Sequence, residues 1–235
     1  MSEQKTQPTF NVRPAVTTIQ VGDVVYNAEP AGPGNWHKLR QADYGQDFRQ
    51  GTFGENFTLA HSGYINQKSE NEQTRKHARN VVQVVRKQWL TGNTALYGGE
   101  KELIFAQDFP EVQEGNIVMN QKDLEARLGK HQVGDVVISD DCLVRAMPRE
   151  KVREGECNTE QMLKESYPIF LTGDAEAPEK MADMMQTVEK PGYLWVPRKN
   201  KVRVPGLGES DVRLFLVGLW FEFFVDRYSF GVRRQ

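Results

Sequence analysis

Four histidines and two cysteines have the widest chemical reach of the residue types in this chain of 235 residues. His37, His61, His77 and His131 stand apart, with no HxH or HExxH spacing. Without such spacing one helix or strand cannot aim two imidazoles at one ion. They read as surface or hydrogen-bonded histidines. Cys142 and Cys157 lack metal-ligand spacing and have no histidine near them in sequence, and no GxSxG turn marks a serine nucleophile. A triad drawn from distant residues has no sequence signal. Asp140 and Asp141 offer oxygen ligands of the kind calcium takes, but the EF-hand loop pattern is absent, and a turn between strands is the expected role.

Phosphate loops fare no better. Gly32-Pro33-Gly34 and Gly92 to Gly99 lack a GK[ST] ending or a strand–GxGxxG–helix setting. Gly206 and Gly208 follow Pro205 in a stretch expected to be a hairpin turn. Glu222 is the one carboxylate inside an apolar run, where burial raises a carboxyl pKa. Its expected role is an edge glutamate paired with Arg213 or Arg227. Arg75, Lys76, Arg79, Arg86 and Lys87, with Arg233 and Arg234, are the cations placed to meet phosphates. Glu70 and Glu72 dilute that set and no aromatic residues interleave it, so a solvated helix face is expected. These residues assign no catalytic, cofactor-binding or metal-binding position.

Composition narrows the class further. Lys plus Arg at 30 nearly balances Asp plus Glu at 32. That balance argues against a dedicated nucleic-acid coat and lends nothing to an anionic-membrane binder. Two cysteines in this length make no disulfide framework, so a reducing compartment is the default expectation. The opening MSEQKTQPTF carries no basic and apolar signal segment, which leads us to expect a soluble cytoplasmic protein.

The elements are organised around the stretch Asp211 to Asp226, which is apolar on both faces of a strand. Phe215, Val217, Leu219, Phe221, Phe223 and Val225 form one face; Leu214, Leu216, Gly218, Trp220 and Phe224 share the other with Glu222. Both faces need cover, from a sheet, a helix or another subunit. The uncharged run is far short of the about 20 residues of a spanning helix. Upstream, residues 1–14 read as a flexible arm and 15–235 as one β-rich domain. Val16 to Asn27 reads as two strands, or one with a bulge, around Gly22-Asp23, and Asn56 to Ile65 as a strand.

Gln67 to Leu90 is the long helix candidate, with Ala78, Val82, Val85 and Trp89 on one face, a Ser69–Glu72 capping box and Gly92 as stop. Its β-branched run Val81 to Val85 also suits a strand; the helical face favours helix. Short helices are expected at Lys122 to Leu128, at Asn158 to Ser166 with an Asn158–Gln161 box, and after Pro178. Strands are expected at Glu102 to Ala106, Asn116 to Asn120, Val136 to Ser139, Cys142 to Ala146, Tyr167 to Leu171, Tyr193 to Val196 and Lys201 to Val204. The sum is mainly β: a jelly-roll or β-sandwich with one longer helix and short helices in its loops. QVGDVV occurs twice, at Gln20 to Val25 and Gln132 to Val137, but unmatched flanks argue against a duplicated barrel.

The closing order is a strand ending in proline (Tyr193 to Pro197), a short basic strand (Lys201 to Pro205), a turn, and a long aromatic strand (Val212 to Val225). It resembles the closing strands of jelly-roll coat proteins from tailless icosahedral bacterial and archaeal viruses. The resemblance implies a capsid subunit that self-assembles with copies of itself and other virion proteins and resides in the virion without an active site. Trp220, Phe221, Phe223 and Phe224 are the candidate subunit-interface residues on the over-apolar strand. A β-sandwich module for a glycan or host protein is the second reading, with Trp36, Tyr44 or Trp195 as its platform. An enzyme with a dispersed site is the third.

Overall fold

A computed structural model of the chain describes residues 10–12, 18–100, 102–219 and 226–233. It opens with β1 (Phe10–Val12), β2 (Thr18–Val21), β3 (Val24–Asn27) and β4 (Ala31–Gly34), then α1 (Trp36–Gln41) and β5 (Phe48–Gln50). The helices α2 (Phe53–Asn66) and α3 (Glu72–Lys87) follow. Next come β6 (Trp89–Leu90), β7 (Thr94–Gly98), β8 (Leu103–Asp108), β9 (Glu111–Gln113) and β10 (Asn116–Val118). Then α4 (Gln121–Arg127) leads into β11 (Leu128–Val133), β12 (Val136–Ser139), β13 (Val144–Pro148) and β14 (Gly155–Cys157). Three helices, α5 (Thr159–Met162), α6 (Tyr167–Thr172) and α7 (Ala177–Val188), precede β15 (Gly192–Trp195), β16 (Val202–Glu209) and β17 (Leu214–Leu219). The last strands are β18 (Arg227–Ser229) and β19 (Gly231–Arg233).

Mainly β, the structure holds two large sheets and several helices, with α3 the longest, in a sandwich-like arrangement. One sheet runs β1-β2-β3-β19-β5, so the ends of the chain share it, Val232 opposite Tyr26. The larger runs β11-β12-β13-β8-β7-β16-β17-β15-β14, with β4, β6 and β18 joined beside β16. β15 pairs parallel to β17, from Gly192–Leu214 to Trp195–Val217. A jelly roll is antiparallel throughout, so the closing order belongs to another β architecture. Of the arm expected over 1–14, Phe10–Val12 pairs with β2 as β1, and the rest lies outside the described residues.

Side-chain alternation splits the larger sheet into two faces. Leu194, Leu207, Leu214 and Leu216 point into one core with Phe57, Val82, Phe170 and Met185 from the helices. Burial of each such side chain contributes roughly 1.5–3 kcal/mol. Val204, Val217 and Leu219 point the other way, onto Trp36 of α1 and Ile117 of β10. Both faces of β17 thus pack against elements of the same chain, with Phe215 left half-buried on the outer one.

Local signals explain where expectations failed. Asn56 to Ile65 is helical because Thr52 and Glu55 form a capping box and Arg49 clamps Glu55 at 2.7 and 2.8 Å. Phe53, Phe57, Ala60 and Tyr64 then fall on one helical face, all buried. Tyr167 to Leu171 is likewise helical, started by Pro168 and stopped by Gly173 at φ +75°. The long helix is α3, capped by Asn71 in place of the Ser69–Glu72 box, and Trp89 leaves it for β6. The Asn158–Gln161 box forms as expected. Pro205 to Ser210 is no hairpin turn: Pro205, Gly206 and Gly208 lie inside β16.

The repeated QVGDVV builds the same turn twice. Gly22 and Gly134 sit at φ +57° and +59°, and the amides of Gln20 and Gln132 donate to the Gly22 and Gly134 carbonyls. Glycine leading a two-residue turn suits the twist of the flanking strands. The two hairpins belong to different sheets, so the echo encodes a turn and not a repeated fold.

Under the larger sheet lies a buried ion pair. Arg145 is 1% exposed and spends all five N–H donors. Two meet Asp108 at 2.7 and 3.1 Å; the others meet the carbonyls of Cys142, Phe170 and Leu171. The last two are C-terminal carbonyls of α6, which would otherwise lack partners. Arg145→Ala is expected to cost about 3–5 kcal/mol, because it strands the Asp108 charge and those carbonyls in the core. Arg145→Lys should restore little of it, since an ammonium cannot reach both sides of that fork. Urea unfolding of the three proteins measures this; a loss under about 1 kcal/mol for Arg145→Ala contradicts it.

Candidate ligand-binding face

The outer face of β16, β17 and β15 is where chemistry concentrates. Gly206 and Gly208 of β16 point outward, and Trp89 of β6 lies on them. A Cβ at Gly208 would stand 2.7 Å from the Trp89 ring, so only glycine admits the indole there. Phe215 meets Trp89 edge-on with centroids 6.0 Å apart, and Tyr193 meets Phe215 at 5.8 Å. The Arg213 guanidinium lies 5.3 Å from the Tyr193 ring centre, and its Nε donates to Glu156 at 2.7 Å. Trp195 is two residues along β15 on the same face, opposite Val217. Trp89, Tyr193, Trp195 and Phe215 are half-buried, whereas the middle of the face is sealed by α1 and β10. The outer face therefore presents aromatic rings from β6 across to β15, with Trp89 on a glycine floor.

Beside the rings, β16 ends in Glu209, whose side chain is only 5% exposed. Its carboxylate accepts from Tyr64 Oη at 2.6 Å, Lys190 Nζ at 2.6 Å and Arg86 Nε at 3.1 Å. Burial pushes Glu209 upward, but the bonds from Lys190, Tyr64 and Arg86 outweigh it and hold the carboxyl below its ordinary value. Burial and the Glu209 carboxylate raise the Tyr64 hydroxyl far above its ordinary value, keeping it a donor. Two depressions flank this knot. One of about 130 Å³ is lined by Lys87, Trp89, Gly208 and Phe215; one of about 440 Å³ is lined by Thr187, Lys190 and Asp211. Arg86, Glu209 and Ser210 line both.

The candidates read from sequence are scattered. Trp220, Phe221, Phe223 and Phe224, with Glu222 and Arg234, lie outside the described residues. Trp36 and Tyr44 form no platform: both are buried, with Trp36 Nε1 on the Gly92 carbonyl and Tyr44 Oη on that of Leu39. Trp195 does reach the aromatic face. The arginines of α3 are engaged, Arg75 on the Ser69 carbonyl, Arg79 on that of Gln67 and Arg86 through its Nε on Glu209, while Lys76 and Lys87 point from exposed positions of the helix. Asp141 closes a turn with Ser139, Leu143 and Arg127, and those bonds hold its carboxyl down to about 2. His61 is buried 3.3 Å from Asp183, and burial keeps it below the ordinary histidine value despite that carboxylate. Among the described residues no three histidine, cysteine or acidic side chains converge as metal ligands. Sequence reasoning missed Trp89, Tyr193, Phe215 and Glu209. Glycines two apart before an aromatic run were the available signal, since a strand keeps such glycines where rings approach closely.

Glu209→Gln is expected to destabilise the protein by about 1–3 kcal/mol at neutral pH, since the amide loses its charge-assisted bonds to Lys190 and Arg86. Because the folded carboxyl lies below its unfolded value of about 4.3, its stabilisation is complete above that pH. It disappears as pH falls through the lower folded value. Melting curves of both proteins should therefore converge in acid; a gap that stays constant from pH 7 to 2 contradicts the assignment.

No protein-family model matches the chain, and no curated protein matches it by sequence. A solved structure does match in fold: a protein of Nanoarchaeota, described as accommodating massive sequence variation through the C-type lectin fold. The two share 13% identity, the TM-score is 0.53, and the match covers 87% of this chain and 96% of the other. At that identity the likeness is one of fold alone: this chain is similar in architecture to a C-type lectin fold protein.

Proposed function

We propose that the chain is a binding module, and not an enzyme, which presents the aromatic outer face of its larger sheet to a glycan or protein ligand. The half-buried ring set Trp89, Phe215 and Tyr193 carries this reading. Aromatic side chains with an arginine beside them are the groups that dominate binding energy at recognition surfaces. The helices back the sheet from its other face, so the rings stand on a rigid base. The architectural likeness to a C-type lectin fold protein supports the same direction. So does the tolerance ascribed to the nanoarchaeal protein, because the buried frame of this chain is separate from the outer face that would vary.

Assembly into a virion shell is a different use of the same face, favoured by the closing-strand order Tyr193 to Val225. The parallel β15–β17 pair weighs against it. Light scattering on the purified chain separates the two readings: one-chain mass at micromolar concentration is expected, and rings or shells would transfer the face to self-association. In a screen of immobilised glycans and proteins, Phe215→Ala or Tyr193→Ala should weaken the strongest interaction at least about 30-fold, the size of a hot-spot loss near 2 kcal/mol. Unchanged binding in both variants, each with wild-type melting, would exclude this face.

A further inference from the structure

The knot around Glu209 gives the ligand a chemical class. Lys190 donates to Glu209 and to the Ser210 carbonyl, both within hydrogen-bond distance. Arg86 is 40% exposed and gives only its Nε to Glu209; among the described residues its terminal nitrogens make no hydrogen bond. One carboxylate holds two cations in place and balances only one of them. Lys87 adds a further charge in the depression that Trp89 and Phe215 line. A guanidinium fork facing outward is suited to a carboxylate. The larger cleft, about 440 Å³, falls within the size range of small-ligand sites, roughly 300–1,000 Å³.

We propose that the two adjoining depressions together take an acidic glycan, with a uronate carboxylate in the larger one at Arg86 and Lys190 and the neighbouring pyranose face in the smaller one on Trp89 and Phe215. The proposal rests on the binding-module reading and narrows it. An acidic peptide is the poorer fit: β17 is paired on both sides, and β16 pairs with β17 to Glu209 and with β6 at Leu207, which leaves only the short edge at Gly208 and Glu209 for an extended backbone. A pyranose needs no edge, only the flat apolar ring that Trp89 supplies and a donor for its acid group. Asp211, on the rim of the larger depression, disfavours ligands carrying negative charge along their whole length and suits one with spaced carboxylates.

Calorimetric titration of the full chain with oligosaccharides in which galacturonate or glucuronate alternates with a neutral sugar, each beside its carboxyl-reduced counterpart, tests this. The acidic form is expected to bind at least tenfold more tightly than the reduced form, with the gap narrowing as salt rises from 50 to 300 mM, since screening weakens an exposed charge contact. Arg86→Gln should lose at least tenfold in affinity for the acidic form and little for the reduced one. Lys87→Glu, which touches no bond of the Glu209 knot, should weaken the acidic form severalfold and lower the melting temperature only slightly, by the reversed charge in the last turn of α3. It keeps the test decisive if Arg86→Gln fails to fold. Equal affinity for acidic and reduced forms, or no binding by either uronate series, overturns the acidic-glycan assignment. If another ligand then binds through Phe215 and ignores Lys87→Glu, the aromatic-face reading survives alone. If Phe215→Ala also changes nothing, that reading falls as well.

Discussion

The Arg145–Asp108 ion pair is the constraint from which the architecture follows. A charge in a protein core is tolerable only when its partners are complete, because the desolvation cost of each ion is several kcal/mol. Completeness here draws on distant parts of the chain. Asp108 comes from β8 and Arg145 from β13; Thr94 of β7 donates to Asp108, and the Phe53 amide at the start of α2 donates to Thr94. The carbonyls of Phe170 and Leu171 close the set. One guanidinium thereby joins three strands of the larger sheet to two helices. Gly54 allows this proximity: a Cβ there would lie 2.1 Å from the Thr172 carbonyl oxygen.

The same logic recurs twice nearer the outer face. Asn56, buried in α2, donates to the Thr91 carbonyl and Ser229 Oγ and accepts from the Phe230 amide, tying the loop after β6 to β18 and its exit. Glu209 gathers Tyr64 of α2, Arg86 of α3 and Lys190 beyond α7 at the end of β16. Each knot is one polar side chain with its partners drawn from separate elements. A polar group of that kind strongly disfavours any packing that leaves it unpaired. Apolar burial drives the collapse, and these knots select the arrangement.

That arrangement leaves the rings of the outer face partly exposed beside the part that α1 and β10 seal, as the proposed recognition surface requires. The frame lies beneath the sheet, so the rings above it are held by backbone pairing and a glycine floor. Trp89 lies over β16 because Leu90 pairs with Leu207 of β16 and Trp89 itself with Arg227 of β18. Rings so placed need no reordering to meet a ligand, which lowers the entropic cost of binding. Glu209 serves both sides: its inward bonds hold the helices, and the cations they fix line the clefts.

Local patterns carried much of this in the sequence itself. The Gly22-Asp23 hairpin, the Asn158–Gln161 capping box, the helix begun near Pro178, the turn at Asp140-Asp141 and the alternation of Leu214–Leu219 depend on residues adjacent in the chain, and they form as written. So does the mainly β character. Where a pattern suited two structures, local stops and long-range contacts acted together: Pro168 and Gly173 bound the Tyr167–Thr172 helix, and Arg145, more than twenty residues away, completes its C-terminal carbonyls. Trp36 and Tyr44 have the composition of a platform, but carbonyls elsewhere in the chain take their polar atoms inside. The proposed binding face belongs wholly to tertiary structure, since Trp89, Tyr193 and Phe215 meet only once β6, β15 and β17 are set around β16. Sequence specifies which side chains alternate or cap, because those interactions span a few residues; which of them meet across the fold depends on completing every buried polar group at once.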